Sequence, residues 1–253
     1  MWPPMLLSNF KKYVRNGGKY LLHIVFPRTC FSCGKDLAWD ATGPLCPICE
    51  NGLALPGPLI CQRCGVVLKD GGAHCFHCRG SKAAKFTCKY IRAACNFNEF
   101  SRGIVYALKY QGNKYVADYM GKWMAQRFGL FEELAGVNCV VPVPLFPTRK
   151  KRRGYNQSEL IARAFCQHTG LPLDATSLVR VRDTGSQTKL GRKARVTNMA
   201  EAFEVKEESA VKGKTILLID DVATTGSTLE ACAQTLRRAG AKRVMAFVFA
   251  RES

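Results

Sequence analysis

The fold is decided by residues 216–228, which read Ile216-Leu217-Leu218-Ile219-Asp220-Asp221-Val222-Ala223-Thr224-Thr225-Gly226-Ser227-Thr228. The apolar run that starts at Lys214 is typical of a parallel strand buried on both faces. Ser227 to Ala239 predicts a helix that ends at Gly240, and Val244 to Phe249 predicts another strand. A strand, a helix and a strand at this spacing predict an α/β fold with a right-handed crossover in a parallel sheet.

The residues after this strand have the composition of a sugar-phosphate site. Backbone N–H groups of the loop and of the following helix can cradle an anion, and four hydroxyl side chains add donors. Asp220 and Asp221 can accept hydrogen bonds from a ribose diol. The alternative is an ordinary strand-to-helix turn with a good N-cap. A Walker A loop is excluded because Gly213-Lys214-Thr215 precedes a strand and Glu208 stands where its first glycine would fall.

Periodicity and capping signals predict further elements before this stretch. The first are a strand pair over Lys85–Phe97, a helix that Asn98 caps and that stops at Gly112, and a helix over Tyr115–Phe128. A strand over Asn138–Val143 and a further helix follow. Asn156 caps this last helix together with Glu159, in the manner of a capping box, and Gly170 ends it.

The cysteines form a repeat of four CxxC pairs: Cys30/Cys33, Cys46/Cys49, Cys61/Cys64 and Cys75/Cys78. Two pairs at this spacing supply four thiolates for one tetrahedral Zn²⁺, so eight predict two structural zinc sites. Such sites bind zinc with roughly 10–16 kcal/mol, enough to fold a segment poor in apolar residues. We expect sequential pairing; interleaved pairing, or His74 or His77 replacing a thiolate, remains an alternative.

The chain has 253 residues and a net charge of +19, from 38 basic and 19 acidic side chains. This surplus favours polyanionic partners, although a merely basic protein is the alternative. One cluster consists of Arg149, Lys150, Lys151, Arg152 and Arg153, with Tyr155 close behind; the second consists of Arg180, Arg182, Lys189, Arg192, Lys193 and Arg195. We expect both on loops at the carboxyl ends of strands. They indicate either a nucleic-acid track with Tyr155 as a stacking partner, or diphosphate binding plus solvated charge.

The pattern predicts three segments: an amphipathic segment over residues 1–29, a double zinc ribbon over 30–84 and an α/β domain over 85–253. We expect the first to dock on the rest of the protein rather than to anchor it in a membrane. No stretch reaches the ~18 apolar residues of a spanning helix. No signal peptide is visible and the cysteine spacing is that of metal sites, so we expect a reducing cytoplasm.

Together these motifs resemble the ComF family, known from competence for DNA uptake, and the related GntX proteins. The resemblance covers about residues 20 to 253 and includes Val141-Pro142-Val143-Pro144, Arg153-Gly154-Tyr155-Asn156-Gln157 and the stretch from Thr184 to Asn198. It implies a type I phosphoribosyltransferase-like parallel sheet with helices on both faces, preceded by an N-terminal zinc-ribbon module with four cysteines at each site. It also implies phosphoribosyl diphosphate (PRPP), bound with Mg²⁺, as the ligand.

The resemblance assigns roles to individual residues. Asp220 and Asp221 would hold the ribose hydroxyls, with Asp221 as the candidate general base. The 5′-phosphate would lie on Ala223, Thr224, Thr225, Gly226, Ser227 and Thr228. Arg149, Lys150, Lys151, Arg152, Arg153, Tyr155, Arg192 and Arg195 would contact diphosphate or DNA. The segment near Gln187, Arg192, Arg195 and Asn198 resembles a loop that closes over the site, and no hood for an acceptor base can be matched.

Three functions follow as hypotheses. The first is a PRPP-binding protein that handles single-stranded DNA in uptake, transformation or recombination. The second is a salvage transferase that joins ribose 5-phosphate to a nucleobase through an oxocarbenium-like state. The third is a non-catalytic scaffold whose ribbons dock a DNA-uptake helicase or a recombination mediator.

Overall fold

A four-stranded parallel sheet forms the centre of the protein. The computed structural model describes residues 23–69, 71–79, 86–183 and 201–252. Its strands are β1 (Ile91–Asn96), β2 (Cys139–Pro142), β3 (Leu178–Arg180), β4 (Phe203–Val205), β5 (Thr215–Ala223) and β6 (Arg243–Arg251). The order β1-β6-β5-β2 is parallel throughout, and β3 and β4 form a separate antiparallel pair. The predicted parallel sheet is confirmed.

One strand prediction is wrong. Lys85–Phe97 was expected to form a strand pair, but its described part contains β1 alone. β1 pairs in parallel with β6, where Ile91 lies opposite Ala246. A local hairpin is therefore replaced by pairing with the far end of the chain. All five residues from Ile91 to Cys95 are buried, and burial on both faces is typical of a parallel strand.

The helices are α1 (Pro47–Asn51), α2 (Glu99–Tyr110), α3 (Tyr115–Phe128), α4 (Pro147–Arg153), α5 (Gln157–Thr169) and α6 (Ser227–Arg238). The predicted Asn98 cap is present: its side chain accepts from the amides of Phe100 and Ser101, and Ser101 completes a capping box. Asn156 also caps its helix, but the expected capping box with Glu159 is absent. Glu159 instead pairs with Lys150 and Arg163.

Helices cover both faces of the sheet, as predicted. α2, α3 and α5 pack on one face, where the buried cluster includes Phe165, Phe247 and Phe249. α6 packs on the other face through Leu229 and Leu236. Because both faces are covered, β5 can be apolar at every position from Ile216 to Ile219.

The Cys-rich segment consists of two similar units that pack on the α/β domain at different places. The first unit extends the core of the α2 face with the buried side chains of Leu37, Leu45 and Leu53. The second unit lies against the edge strand β1, where the Ile91 amide donates to the Arg63 carbonyl at 2.8 Å. The apolar residues missing from each unit are thus partly supplied by the domain that it contacts.

Candidate functional site

Two clusters of four cysteines lie in the Cys-rich segment, Cys30/Cys33/Cys46/Cys49 and Cys61/Cys64/Cys75/Cys78. Within each cluster the sulfur atoms lie within 4.8 Å of one another. The Sγ atoms of Cys33 and Cys46 are 3.8 Å apart, and those of Cys64 and Cys75 are 3.6 Å apart. Four sulfurs about 2.3 Å from a tetrahedral Zn²⁺ are separated by about 3.8 Å. The clusters therefore fit zinc, and sequential pairing is confirmed.

The same turn builds both clusters. Gly34 follows Cys33 and Gly65 follows Cys64, each with a left-handed backbone (φ 72° and 68°), and each donates its N–H to the carbonyl of the first cysteine of its pair. A glycine adopts this conformation without a steric penalty. At Gly65 the close approach of the Ile91 carbonyl adds a second reason, because a Cβ atom there would lie 2.4 Å from that oxygen.

The two carboxylates lie near the carboxyl end of β5. The strand continues through both carboxylates to Ala223, so the prediction that they end the strand is wrong. Asp221 is buried and Asp220 is half-buried. Oδ1 of Asp220 accepts a hydrogen bond from Ser158 Oγ at 2.7 Å and one from the Asp221 amide at 2.9 Å. Oδ1 of Asp221 accepts from the Val222 amide at 2.7 Å. These bonds fix the orientation of both carboxyl groups before any ligand arrives.

Two residues that sequence reasoning missed, Lys109 and Ser158, contact the acids. The Nζ atom of Lys109, in the last turn of α2, lies 2.9 Å from Oδ2 of Asp221. Ser158 is buried in the first turn of α5. Neither belongs to a recognisable motif, since each comes to the acids from a helix distant in sequence. The only signal was indirect: Lys109 and Ser158 both follow strongly predicted helix starts.

Burial and, after it, the adjacent Asp221 carboxylate together raise the pKa of Asp220 from 3.8 to about 7. The Ser158 hydroxyl and the Lys109 ammonium oppose this shift. Because its pKa lies near neutrality, Asp220 can gain or lose a proton under ordinary conditions.

The loop after β5 exposes Thr224, Thr225 and Ser227 to solvent. Gly226 has a left-handed φ of 77° and is the N-cap of α6, so the cap residue itself has no side chain to accept from the helix. The Ser227 amide donates to Thr225 Oγ1 at 3.3 Å. The amides that follow Ser227 in the first turn of α6 are available to an anion.

The first basic cluster is a short helix, α4, and not the loop that was expected. Arg149 pairs with Asp183 at 3.0 Å and Lys150 with Glu159 at 3.4 Å, while Arg153 donates to the Gln157 side chain. In the second cluster Arg182 pairs with Glu201 at 2.5 Å. Arg192 and Arg195 lie outside the described residues, as do Gln187, Asn198, Lys189 and Lys193.

The stacking role predicted for Tyr155 does not fit the structure. Only 7% of this residue is exposed, and its hydroxyl donates to the Leu108 carbonyl. Its ring belongs to the core beneath α2, because the chain turns inward after the left-handed Gly154 that ends α4. Tyr155 therefore cannot offer a face to a nucleic-acid base.

An open cavity of about 590 Å³ joins the acids to the basic helix. Among the predicted residues it is lined by Asp220, Asp221, Thr228, Arg149, Arg152 and Arg153. Arg180 of the second basic cluster, which lies at the end of β3 and not on a loop, also lines it, and the structure adds Lys109, Tyr110, Ser158 and Asp183. The predicted residues Ala223, Thr224, Thr225, Gly226, Ser227, Lys150, Lys151 and Tyr155 are not among its lining residues. The cavity thus combines the carboxylates of β5 with guanidinium groups of α4.

The architecture and the two four-cysteine clusters define a phosphoribosyltransferase-fold domain joined to a double zinc ribbon. Comparison with known families agrees: residues 140–253 match the phosphoribosyl transferase domain, and residues 21–79 match the double zinc ribbon domain.

Relatives extend the match over most of the chain. The chain is 28% identical to the DNA utilization protein YhgH of Salmonella typhimurium, covering 90% of this chain and 99% of that protein. It is 26% identical to competence protein F of Haemophilus influenzae, covering 88% and 96%, and 26% identical to competence protein ComFC of Bacillus subtilis, covering 84% and 79%. The chain is therefore similar over most of its length to competence and DNA utilization proteins. Within the described residues, no helix has the length and apolar character needed to cross a membrane.

The raised pKa of Asp220 predicts a pH-dependent cost to stability. Between about pH 4 and pH 7 the carboxyl group is ionised in the unfolded chain but keeps its proton in the folded one, so the free energy of unfolding falls as pH rises. An Asp220→Asn variant has no carboxyl group to titrate at this position, so it does not lose this part of the free energy of unfolding. We expect the variant to gain stability relative to the wild type as pH rises through this window, and the difference to level off above about pH 7.

Urea unfolding of both proteins across this pH range measures the difference in their free energies of unfolding. The titration of the zinc thiolates is common to both proteins and cancels in this difference. Asp118→Asn is the matched control, because Asp118 is an exposed aspartate in the first turn of α3. A difference that is independent of pH for Asp220→Asn would contradict the shifted pKa.

Proposed function

We propose that the protein binds PRPP with Mg²⁺ at the carboxyl end of β5, and that it handles single-stranded DNA in the cytoplasm during DNA uptake and natural transformation. The observation that carries the proposal is one cavity lined both by the two oriented carboxylates of β5 and by Arg149, Arg152 and Arg153 of α4. PRPP carries a ribose diol and a diphosphate, which complement these two sets of groups.

In this proposal the ribose diol donates to Asp220 and Asp221, whose Oδ1 atoms already accept from Ser158 and from backbone amides. The diol shares Oδ2 of Asp221 with the Lys109 ammonium. The 5′-phosphate lies on the loop 223–228, at the first amides of α6. The arginines of α4 take the diphosphate, since planar guanidinium groups match phosphate oxygens in pairs. Mg²⁺, which prefers one or two carboxylates together with phosphate oxygens, would neutralise further charge there.

If the protein transfers the phosphoribosyl group, proton transfer falls to the acids. Asp221 is the base that the family resemblance implies, but it is paired with Lys109 at 2.9 Å. Asp220 has a pKa near neutrality, which suits a group that takes up and releases a proton during a reaction at neutral pH. We therefore propose Asp220 beside Asp221 as candidate base.

The part of the proposal that concerns DNA is supported by charge and by the relatives. The net charge of +19 exceeds what one PRPP molecule requires, and it suits the phosphates of a nucleic acid. The relatives from Haemophilus influenzae and Bacillus subtilis are named competence proteins, and the one from Salmonella typhimurium a DNA utilization protein.

Calorimetric titration with PRPP and Mg²⁺ tests the ligand. We expect the wild-type protein to bind PRPP, and the double variant Asp220→Asn, Asp221→Asn to bind at least about a hundredfold more weakly, because two hydrogen bonds to charged acceptors are weakened. Asp118→Asn serves as the control, because it removes one exposed carboxylate outside the cavity, and it should bind PRPP like the wild type.

Both variants should retain two zinc ions per chain, which shows that the fold is preserved. Equal affinity of the double variant and the wild type would remove the carboxylates from the site and contradict the proposal. A wild-type protein that does not bind PRPP would contradict it as well.

A further inference from the structure

Two tyrosines of α2 present their rings to solvent. Tyr106 is 54% exposed and Tyr110 is 67% exposed. They lie four residues apart on one face of the helix, with ring centroids separated by 5.0 Å and planes inclined at 40°. The opposite face of α2 buries Ile104 and Leu108 in the core. The tyrosine pair is therefore not needed for packing in the described structure, and it forms a continuous aromatic surface of two rings.

This pair adjoins the basic helix. The guanidinium carbon of Arg153 lies 5.8 Å from the centroid of the Tyr110 ring, close to the range of a cation–π contact. Tyr110, Arg152 and Arg153 all line the cavity that contains the two acids. The exposed rings thus lie at the rim of the candidate PRPP site and not on a separate surface.

Two cations of α4 are not used by internal ion pairs. On α4, Arg149 and Lys150 have carboxylate partners, Asp183 and Glu159. Among the residues that the structure describes, Lys151 and Arg152 have no such partner, and they remain available for external anions. Exposed rings next to a basic helix are the combination by which proteins bind unpaired nucleic acid: bases stack on the rings and phosphates lie on the cations.

We propose that Tyr106 and Tyr110 form a stacking platform for the bases of single-stranded DNA, with Lys151, Arg152 and Arg153 binding its phosphates. The platform rests on the proposed function and specifies how the DNA is held. It favours single strands because the bases of a duplex are stacked on one another and cannot offer their faces. It also leads the strand to the rim of the PRPP cavity.

Fluorescence anisotropy with labelled oligodeoxythymidine tests the platform. We expect Tyr106→Ala, Tyr110→Ala to weaken binding by about tenfold or more, and Tyr106→Phe, Tyr110→Phe, which keeps both rings, to change it by about twofold at most. The slope of log affinity against log salt should stay unchanged in the alanine variant. It should become shallower in Lys151→Gln, Arg152→Gln, because phosphate contacts are lost.

Each outcome has a distinct meaning. If the wild-type protein does not bind the oligonucleotide, the DNA part of the proposed function fails and the platform fails with it. If the wild type binds and the alanine variant binds equally well, the platform alone is wrong. Tyr106 does not line the cavity, so the single variant Tyr106→Ala should still bind PRPP, which verifies that the protein is folded.

A different observation concerns Arg251, at the end of β6, which is 4% exposed. Its Nη1 atom donates to the Ala223 carbonyl at 2.8 Å and to the Thr224 carbonyl, and its Nε atom donates to the Cys64 carbonyl at 3.0 Å. Ala223 and Thr224 begin the candidate phosphate loop, and Cys64 belongs to the second cysteine cluster. One buried side chain thus joins the second cluster to the loop.

The geometry points to Arg251 as a positioning residue that makes the phosphate loop depend on the second zinc cluster. Metal held by Cys64 fixes the backbone of the CxxC turn, and the rigid guanidinium transmits that position to the first two residues of the loop. A lysine could not replace it, because an ammonium group lacks the planar fork that reaches both partners. The first cluster has no comparable link among the described contacts of this loop.

Hydrogen exchange of amides that are bonded to the loop tests this link without any ligand. The amides of Glu230 and Glu252 donate to the carbonyls of Gly226 and Ala223. In Arg251→Lys we expect exchange of these two amides to accelerate by about tenfold while both zinc ions are retained. Cys78→Ser, which opens the second cluster, should have a similar effect, whereas Cys49→Ser in the first cluster should not. PRPP affinity should fall in parallel with the loss of protection.

Unchanged exchange of the Glu230 and Glu252 amides in Arg251→Lys would overturn the inference, even if Cys78→Ser fails to fold. Because the exchange measurement does not involve PRPP, it also separates failure of this link from failure of the proposed function. Amides that stay protected in Arg251→Lys and Cys78→Ser would contradict the role of Arg251. Weak PRPP binding by the wild type would contradict the proposed function.

Discussion

Two adjacent carboxylates stand on a strand that is otherwise buried in apolar side chains on both faces. Burying charge side by side is costly unless each oxygen finds a donor or a counter-charge. Ser158 supplies a donor from α5, Lys109 supplies a cation from α2, and the backbone of β5 supplies two amides. The placement of both helices against the sheet is therefore tied to these acids, and so is the cavity that opens above them.

The zinc ribbons solve a different problem. Each has too few apolar residues for a core of its own, and thiolate–metal bonds take the place of one. Their remaining contacts reach into the α/β domain: Leu37, Leu45 and Leu53 extend its core, and the carbonyls of Gln62 and Cys64 accept from Arg92 and Arg251. The second ribbon thereby lies directly behind the loop proposed to hold the phosphate.

The sequence predicted what depends on local pattern. The apolar run before Asp220, the caps at Asn98 and Asn156 and the CxxC spacing determine elements and cysteine pairing through neighbours in the chain. Prediction from sequence failed where contacts between distant segments determine the structure. The strand pair before Asn98 became one strand because β6 supplied the partner, and Tyr155 turned inward beneath α2. Lys109, Tyr110 and Ser158 join the site only through helix packing, which no local signal encodes.

The central claim is that Asp220, Asp221 and the following loop hold a sugar phosphate. A crystal structure of the protein with PRPP and Mg²⁺ tests this most directly. We expect the ribose diol within hydrogen-bond distance of both carboxylates, the 5′-phosphate on the amides of residues 224–228, and the diphosphate toward α4. PRPP bound on the arginines alone, with its ribose away from Asp220 and Asp221, would contradict the claim.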